Sequence, residues 1–524
     1  MWKKEDRTQL PGLLAQDWDI VIVGGGITGA GILLEAARRG LHALLIEQRD
    51  FAWGTSSRSS KLVHGGLRYI KEGKLRLMRD SVRERENLLR EAPGLVDPQP
   101  FAFANYKGRK PGRWAMSAGL AIYDRMAKHG QRHWHAREDF LMLAPNVARE
   151  GLQGGLCYRD AKTDDARLVL RVLQEAVAAG GHALNYLAAE ELDRHDGKVG
   201  GLVLRDGLTD ARYRVRAKVV INATGAWADR LRRNGGAHKL RPLRGSHLLF
   251  PAWKLPLAQA ISFLHPKDGR PVFAFPWEGA TLVGTTDVDH REDLRHEAAI
   301  TQEEARYLIE ALAYQFPQAA LKAGDAVSSY AGVRPVIDTG KSDPSKEARD
   351  HAVWMEDGLL TVTGGKLTTF RLIALDALKH AAQRLPQWRD KLEMRPVFRA
   401  FALPRSQKLS ATQQARLAGR FGINAKTMIE AASAEELQTI DGSETLWAEL
   451  RWAARHVAVQ HLDDLLLRRT RLGLLLAQGG SAILPRVRAL CQAELGWDDV
   501  RWDREEADYR ALWRKCYAPP GEDA

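Results

Sequence analysis

The stretch Asp19-Ile-Val-Ile-Val-Gly-Gly-Gly-Ile-Thr-Gly-Ala-Gly31 runs from a short apolar strand directly into a glycine-rich turn. Gly24, Gly26 and Gly29 fit the spacing G-x-G-x-x-G of a dinucleotide site. In that motif the first glycine makes the tight turn, the second lets backbone N–H groups reach a pyrophosphate, and the third lets a helix pack against the strand. The stretch therefore predicts a nucleotide-binding βαβ unit.

The residues after the turn complete this unit. We predict a helix over Ile32 to Arg39, whose positive N-terminal end would favour a diphosphate. A second buried strand is predicted over Ala43 to Ile46. It ends at Glu47, whose carboxylate can accept hydrogen bonds from a ribose. Strand, turn, helix, strand and acid in this order favour a dinucleotide site over an ordinary glycine turn.

Two segments far along the chain predict that the dinucleotide is FAD. Lys218-Val-Val-Ile-Asn-Ala-Thr-Gly-Ala-Trp227 is an apolar strand that ends in Ala-Thr-Gly, a pattern of FAD proteins of the glutathione-reductase-like class. Gly358 to Arg371 predicts a strand, a glycine turn and a helix through about Leu385, whose N-terminus can stabilise negative charge on a reduced flavin. The cofactor contacts predicted from these segments are Thr224, Gly225, Gly364, Gly365, Lys366, Leu367 and Thr368.

Length and composition limit what the chain can be. At 524 residues the chain is longer than a single hydrophobic core usually accommodates, so two or three domains are expected. No apolar run approaches the roughly 18 residues of a transmembrane helix. No signal peptide is recognisable, and the three cysteines have neither metal nor disulfide spacing, so we expect an intracellular protein without a metal site. The net charge of +13 attracts anions, whether phosphate substrates, acidic lipids or nucleic acid.

The segment Phe51 to Tyr69 is the densest polar and glycine-rich part of the chain. Its hydroxyl side chains can donate to phosphate or flavin oxygens, and its glycine pair lets backbone approach a flat ring closely. Its second half, Ser59-Ser-Lys-Leu-Val-His-Gly-Gly-Leu-Arg-Tyr69, resembles the signature of FAD-dependent glycerol-3-phosphate dehydrogenases. The cofactor contacts predicted here are Thr55, Ser56, Ser57, His64, Gly65 and Gly66.

The resemblance to this family continues along most of the chain. It implies oxidation of sn-glycerol 3-phosphate to dihydroxyacetone phosphate, with electrons passed to membrane quinone. Five further motifs resemble the family in order: Thr163-Asp-Asp-Ala-Arg-Leu-Val-Leu170, Arg244-Gly-Ser-His247, Gly284-Thr-Thr-Asp-Val288, Tyr330-Ala-Gly-Val-Arg-Pro335 and Gly364-Gly-Lys-Leu-Thr-Thr369.

Two other functions stay open. A glycerol-3-phosphate oxidase would run the same half-reaction with oxygen as the acceptor. An FAD protein whose basic surface binds or modifies RNA belongs to another class. However, no RNA-binding module is recognisable, so we expect no nucleic-acid partner. The oligomeric state is also open, a homodimer included.

The substrate phosphate must be held by cations, and an arginine fork also fixes its orientation. Arg68, Arg334 and Lys366 are the predicted cations, each in a segment expected to converge on the flavin. Tyr69 and Thr368 are the predicted neutral donors. Arg334 is the first choice for the clamp, because the proline that follows it restrains the backbone.

Alcohol oxidation also requires a base for the hydroxyl proton, while the flavin accepts the hydride. His247 is the predicted base, because imidazole titrates near neutral pH. His64 is the second candidate and is expected to contact the flavin instead. Either histidine could equally serve as a neutral hydrogen-bonding group, and Asp287 is expected to be a turn acceptor.

The predicted architecture is an α/β fold with a discontinuous, glutathione-reductase-like FAD-binding domain, a β-rich substrate or cap domain and a C-terminal all-α domain. In the last of these, helices are predicted over Ala411 to Phe421, over Glu435 to Ile440, and over Glu444 to Ala477 with a break near Val459. The predicted domain bounds are 17–92, 164–240 and 331–385 for FAD binding, 93–163 and 241–330 for the cap, and 402–524 for the helical part.

The segment Tyr106 to Arg137 has the composition of a membrane contact. Apolar side chains such as Trp114 and Ile122 alternate there with eight basic residues and one acid. Apolar anchors with a cationic fringe are typical of a segment in an anionic lipid interface. We therefore predict a peripheral position on the inner face of the cytoplasmic membrane, with a basic helix packed on its own protein as the alternative. The basic residues are Lys107, Arg109, Lys110, Arg113, Arg125, Lys128, Arg132 and Arg137.

Overall fold

The computed structural model describes residue 7 and residues 9–70, 73–127, 132–232, 239–341, 347, 350–401 and 406–521. Two predicted residues lie outside this description. Lys128 is not described at all, and for Arg68 only the backbone is described.

Eighteen strands and fifteen α-helices make up the described part of the chain. The strands are β1 (Asp17–Val23), β2 (Ala43–Ile46), β3 (Leu62–Val63), β4 (Val96–Tyr106), β5 (His133–Ala136), β6 (Leu152–Thr163), β7 (His182–Leu184), β8 (Leu187–His195), β9 (Lys198–Asp206), β10 (Arg212–Asn222), β11 (Leu240–Pro251), β12 (Ala260–Leu264), β13 (Pro271–Trp277), β14 (Ala280–Gly284), β15 (Val288–Asp289), β16 (Ser328–Ile337), β17 (His351–Glu356) and β18 (Leu359–Gly364). The helices are α1 (Leu10–Leu14), α2 (Ile27–Ala37), α3 (Leu75–Glu91), α4 (Arg113–Ala127), α5 (Arg137–Leu143), α6 (Asp165–Ala178), α7 (Ala228–Arg232), α8 (Gln302–Gln315), α9 (Phe370–Ala381), α10 (Ala411–Phe421), α11 (Asn424–Ala431), α12 (Trp447–His456), α13 (Leu472–Leu475), α14 (Leu484–Leu495) and α15 (Asp499–Cys516).

The first sheet has the strand order β17-β18-β10-β1-β2-β7, and β9 with β8 extends it beside β10. The run from β18 to β7 is parallel. Ile20 and Ile22 of β1 pack on one face in the core that contains α2, α6 and α9. Val21 and Val23 pack on the other face in a core with residues of α1, β9 and β10. A parallel strand covered on both faces is rich in apolar residues, as the buried part of β1 from Ile20 to Val23 is. The predicted α/β fold class is confirmed.

The second sheet has the order β15-β11-β14-β13-β12-β4-β6-β3, with β16 paired to β11 and β5 to β6. Helices α5 and α8 contribute to the apolar core on this sheet. Along β11, His247 is the register partner of Tyr330 on β16 and of Gly284 on β14, and Leu243 is the partner of Arg334. Because β3 also belongs to this sheet, residues 17–92 contribute to both sheets, and the domain bounds stay predictions.

Helix α2 begins at Ile27, so the predicted start at Ile32 was wrong. Gly29 and Gly31, which precede the predicted start, lie inside the helix, where the missing side chains permit close packing. A Cβ atom on Gly31 would lie 2.8 Å from a ring carbon of Phe370 on α9. The glycine-rich sequence therefore serves helix packing as well as the turn.

The C-terminal part is helical, and the predicted helix over Ala411 to Phe421 is confirmed. The predicted helix over Glu435 to Ile440 is wrong, because the chain reverses there. The Ile440 N–H donates to the Thr445 carbonyl oxygen at 2.8 Å, and Thr439 forms a bridge with Leu446.

The predicted span Glu444 to Ala477 is helical with an interruption, and the predicted break near Val459 is confirmed, because α12 ends at His456 and the next helical turn begins at Asp464. The span consists of α12, a π-helical turn over Asp464–Arg469 and α13. The carboxylate of Asp464 accepts hydrogen bonds from the backbone N–H groups of Gln460 at 2.8 Å and His461 at 2.9 Å, so it stabilises the helical start that follows the break. Among the described residues, no helix has the length and apolarity needed to cross a bilayer.

Candidate active site

The glycine turn between β1 and α2 requires residues without side chains. Gly24 has a φ of +116°, and a Cβ atom there would lie 2.5 Å from the carbonyl oxygen of Ala223. A Cβ atom on Gly29 would lie 1.9 Å from the carbonyl oxygen of Gly24. Gly26 is the N-cap of α2 and carries no side chain, and the Ile27 N–H that follows it donates to the Ser56 hydroxyl at 3.0 Å. This geometry fits a pyrophosphate.

Glu47 lies at the end of β2 and holds the turn in place. Its Oε2 accepts a hydrogen bond from the Gly25 N–H at 2.7 Å, and its Oε1 accepts one from the Arg49 N–H at 2.9 Å. Burial raises the pKa of this carboxyl group despite the two hydrogen bonds, which lower it. Glu47 thus connects β2 to the glycine turn at the place where a ribose is expected.

A cavity of about 900 Å³ opens where β1, β10 and β18 end. This volume lies in the range of roughly 300–1,000 Å³ that is usual for ligand sites. With the glycine turn and the N-terminal end of α2 in its lining, it fits an FAD molecule. The predicted cofactor residues that line it are Gly24, Gly26, Glu47, Thr55, Ser56, Thr224, Gly225, Gly364, Gly365, Lys366 and Leu367.

The remaining predicted cofactor residues, Gly29, Ser57, His64, Gly65, Gly66 and Thr368, are not among the lining residues. The glycine pair has a packing role that the sequence analysis missed. A Cβ atom on Gly65 would lie 2.4 Å from the Tyr123 hydroxyl, and one on Gly66 would lie 2.1 Å from the Tyr69 ring.

Other lining residues were not predicted. Trp53 and Trp227 face the cavity with ring centroids 5.5 Å apart. Both directly adjoin predicted motifs, so their positions could have been inferred. Six lining arginines come from strands, loops and helix α7 outside the predicted motifs, and their sequence carries no comparable signal: Arg49, Arg194, Arg205, Arg212, Arg230 and Arg295.

Four predicted site residues meet although they belong to distant segments. The Lys366 ammonium lies 3.9 Å from the centroid of the Tyr69 ring and donates to the Ser81 hydroxyl at 2.8 Å. The His64 N–H donates to the Thr368 hydroxyl at 3.3 Å. The turn before α9 and the segment Ser59 to Tyr69 are therefore packed against each other.

Arg334 lies on β16 with its guanidinium held on two sides. Nη1 donates to Asp287 Oδ1 at 3.2 Å, and Nη2 donates to the Thr285 hydroxyl at 3.0 Å. The Arg334 side chain is 24% exposed to solvent. Gly245 leaves room for it, since a Cβ atom there would lie 2.4 Å from Nη2. Asp287 orients this arginine, a contact beyond the turn role expected from the sequence.

His247 is buried, with 1% exposure. Its ring stacks on Tyr330 at a centroid distance of 4.7 Å, and its Nε2 lies 2.9 Å from the Ser60 hydroxyl. Burial, followed by the positive charges of Arg334 and Lys61, lowers the pKa of His247 well below 6.5. The ring is therefore neutral at physiological pH, and its Nε2 is hydrogen-bonded to the Ser60 hydroxyl.

Two family matches cover most of the chain. Residues 19–371 match the family described as FAD dependent oxidoreductase. Residues 379–502 match the C-terminal domain of alpha-glycerophosphate oxidase.

Relatives with established names are similar over most of their length. The aerobic glycerol-3-phosphate dehydrogenase of Staphylococcus haemolyticus is 36% identical over 484 residues, which cover 87% of this chain and 87% of that protein. The protein of the same name from Bacillus subtilis is 41% identical over 390 residues, covering 73% and 70%.

Solved structures show the same fold. The glycerol-3-phosphate dehydrogenase of Bacillus halodurans complexed with FAD has a TM-score of 0.78 and 28% identity, and the match covers 98% of both chains. The FAD-bound L-alpha-glycerophosphate oxidase of Mycoplasma pneumoniae has a TM-score of 0.56 and 19% identity, covering 71% of this chain and 96% of that chain. The predicted FAD cofactor is confirmed.

The contact between Gly29 and Gly24 leads to a test of the cradle. Gly29→Ala should push α2 from β1 at a cost of about 1–3 kcal/mol, which corresponds to roughly 5- to 150-fold weaker FAD binding if the free protein relaxes. FAD released per polypeptide after denaturation measures the effect. Gly324→Ala is the control, because a Cβ atom there meets nothing within 4 Å. Equal FAD content in both variants would contradict the packing argument.

Proposed function

The chain belongs to the FAD-dependent oxidoreductase family that includes the aerobic glycerol-3-phosphate dehydrogenases, and we propose that it oxidises sn-glycerol 3-phosphate to dihydroxyacetone phosphate. One arrangement carries the proposal. His64 and Thr368, 304 residues apart in sequence, are hydrogen-bonded, and beside them Lys366 lies on Tyr69. A cationic surface at the flavin cavity suits an anionic alcohol.

FAD, when bound, supplies the hydride acceptor. The turn at Gly24 to Gly26 and the start of α2 would hold its pyrophosphate, and Glu47 its ribose. Residues 364–367 line the same cavity and would hold the flavin end.

Arg334 and Lys366 are the proposed phosphate ligands. Asp287 and Thr285 fix the plane of the Arg334 guanidinium before substrate arrives. Lys366 contributes a point charge beside the neutral donor Tyr69. Preorganised cations hold the substrate so that its reacting carbon is presented repeatedly in one orientation.

His247 is the proposed acceptor of the substrate hydroxyl proton. Because the ring is buried and Ser60 is its neighbour at 2.9 Å, the Ser60 hydroxyl is the group that would pass the proton to Nε2. The lowered pKa keeps Nε2 or Nδ1 free of a second proton at neutral pH, as a base requires. His64 is the competing base.

The proposed electron acceptor is membrane quinone, reached by peripheral binding to an anionic membrane. Helix α4 supports this, because Leu120 and Tyr123 on one face are buried while Trp114 and Ile122 on another are 79% and 43% exposed. The guanidinium of Arg113 lies 5.3 Å from the Trp114 ring, and this part of the chain carries further exposed cations. Thus one face is packed on the protein and the opposite face has the composition of an interfacial anchor. The exposed cations are Lys107, Arg109, Lys110, Arg113 and Arg125.

Replacement of Arg334 tests the phosphate clamp. Loss of a charge-assisted contact costs about 2–4 kcal/mol, so Arg334→Ala should lower kcat/KM for glycerol 3-phosphate roughly 30- to 1,000-fold with FAD still bound. Arg334→Lys should recover only part of it, since a point charge lacks the fork.

The matched control for Arg334 is Arg216→Ala on β10, whose ion pair with Asp17 is exposed. Glycerol as the substrate is the second control. Because it carries no phosphate, the activity of the enzyme with glycerol should fall little in the Arg334 variants. An Ala variant with parental kcat/KM would assign the clamp to other residues.

The pKa of His247 predicts the pH dependence of flavin reduction. A base acts in its unprotonated form, which is populated above its pKa. With that pKa well below 6.5, the anaerobic reduction rate should stay constant as the pH falls through 6.5. His247→Gln should slow reduction at every pH. A rate that falls near pH 6.5 in the parent protein but not in His64→Gln would make His64 the base.

The exposed face of α4 can be tested with vesicles that contain phosphatidylglycerol. Removing a buried large apolar side chain costs about 1.5–3 kcal/mol, so Trp114→Glu with Ile122→Glu should weaken vesicle binding by roughly tenfold or more. Turnover with a soluble acceptor should persist, whereas turnover with membrane quinone should fall. Val500→Glu is the control, since Val500 on α15 is 79% exposed. Weaker binding in that variant alone would move the membrane contact to the C-terminal helices.

A further inference from the structure

A cluster of charged side chains is buried between the C-terminal helices and the segment after β2. Lys61, Asp164, Asp165 and Arg471 are each at most 2% exposed. Asp164 and Asp165 begin α6, and Arg471 follows the π-helical turn at the entrance to α13. Burying four charges is costly unless each is paired and hydrogen-bonded, so the partners indicate what the cluster does.

Arg471 uses its guanidinium to bind two different parts of the chain. Nε donates to Asp164 Oδ1 at 3.0 Å, and Nη2 donates to the carboxylate of Asp165. Nη2 also donates to the carbonyl oxygen of Ser57 at 2.9 Å. The backbone of Arg471 has a φ of +64°, a left-handed conformation that residues with side chains seldom adopt. The C-terminal part thus reaches the Ser57 backbone directly.

The residues that follow Ser57 are held by the same cluster. Lys61 donates to the Ser57 carbonyl oxygen at 3.0 Å and to Asp165 Oδ1 at 2.9 Å. Asp165 Oδ2 accepts from the Ser59 N–H at 2.9 Å and from the Ser59 hydroxyl at 2.7 Å. The loop Ser57–Lys61 is therefore bound at its beginning, middle and end.

Ser60 lies in the middle of this loop, and its hydroxyl is 2.9 Å from Nε2 of His247. Tyr330 adds a second connection, because its hydroxyl donates to the Ser59 carbonyl oxygen at 2.7 Å while its ring stacks on His247. A shift of the loop would change the distance between Ser60 and His247 and the stacking together.

We propose that Arg471 is a positioning residue for the oxidation. From the C-terminal helical domain it holds the Ser57–Lys61 loop, and through that loop it fixes the Ser60 hydroxyl against His247. The inference rests on the proposed function. A guanidinium is suited to the task because its donors form a rigid planar fork, so a carbonyl and two carboxylates are held in one fixed geometry, whereas the donors of an ammonium rotate on a flexible stem.

Arg471→Lys tests the proposal, because it keeps the charge and loses the fork. Amide hydrogen exchange of peptides that contain Ser57 to Lys61 should become faster, both in FAD-stripped protein and in holoenzyme. In the holoenzyme, anaerobic flavin reduction at saturating glycerol 3-phosphate should slow on the order of 10- to 100-fold per bound FAD, the effect of displacing a reacting group by about 1 Å. The half-saturating concentration should change little, because the phosphate ligands are untouched.

Arg488→Lys is the matched control. Arg488 belongs to the same helical domain, and its ion pairs with Asp499 and Asp503 are at the surface. It should retain parental hydrogen exchange and parental reduction. A parental reduction rate per bound FAD in Arg471→Lys, with only lower thermal stability, would overturn the proposal in favour of a purely structural role.

Ser60→Ala supplies the second variant and leaves every ion pair of the cluster in place. It should slow reduction, and adding Arg471→Lys to it should slow reduction little further, because both changes remove the same arrangement. Parental reduction in Ser60→Ala would overturn the proposal even if Arg471→Lys does not fold. Where both single variants fold, independent losses that multiply in the double variant would overturn it as well. A parent holoenzyme that glycerol 3-phosphate does not reduce would instead contradict the proposed function.

Discussion

The parallel pairing of β1 with β2 and β10, and of β10 with β18, is the constraint on which the site depends. Parallel strands end at the same edge of a sheet, so the turns after them come together however far apart they are in sequence. Gly24, Glu47, Thr224 and Gly364 follow or end these four strands and all line one cavity. The close approach at Gly24 and Gly29 lets α2 begin at that edge.

The C-terminal helices are attached to this framework through buried charges. Arg469 donates to Asp50 Oδ1 at 2.7 Å, and Arg468 binds the same carboxylate. Burial alone would raise the pKa of Asp50, but Arg469 and Arg468 outweigh it and lower the pKa to about 2. Burial, followed by the charge of Arg471, lowers the pKa of Lys61 to about 8. Breaking one such pair would leave an uncompensated charge in a dry interior, which is strongly destabilising.

Motifs with local geometry were predictable from the sequence. The glycine spacing located the turn at Gly24, and the apolar run Ala43 to Ile46 matched β2. The start of α2 was not predictable, because glycines that permit helix packing look the same in sequence as glycines that make a turn. The helix over Glu435 to Ile440 was wrong for a related reason, since its apolar residues are buried by a chain reversal.

Contacts between remote segments lay beyond the sequence. The register of β11 against β16, which stacks His247 on Tyr330, is set by the whole sheet and has no signature in either strand. The orientation of Arg334 by Asp287 and the exposure of only one face of α4 likewise depend on tertiary packing. From the sequence, the basic residues of the segment Tyr106 to Arg137 could be counted, but they could not be assigned to the buried or the exposed face of α4.

The buried pairs also bear on how this chain can change through evolution. Arg468, Arg469 and Arg471 come from the helical part, whereas Asp50, Asp164 and Asp165 come from the oxidoreductase part. A recombination event that joined these two parts from distant relatives would bring each set of charges together with a foreign partner set. We therefore expect the six residues to be inherited as a unit, and the two parts of the chain to diversify together rather than by exchange of one part.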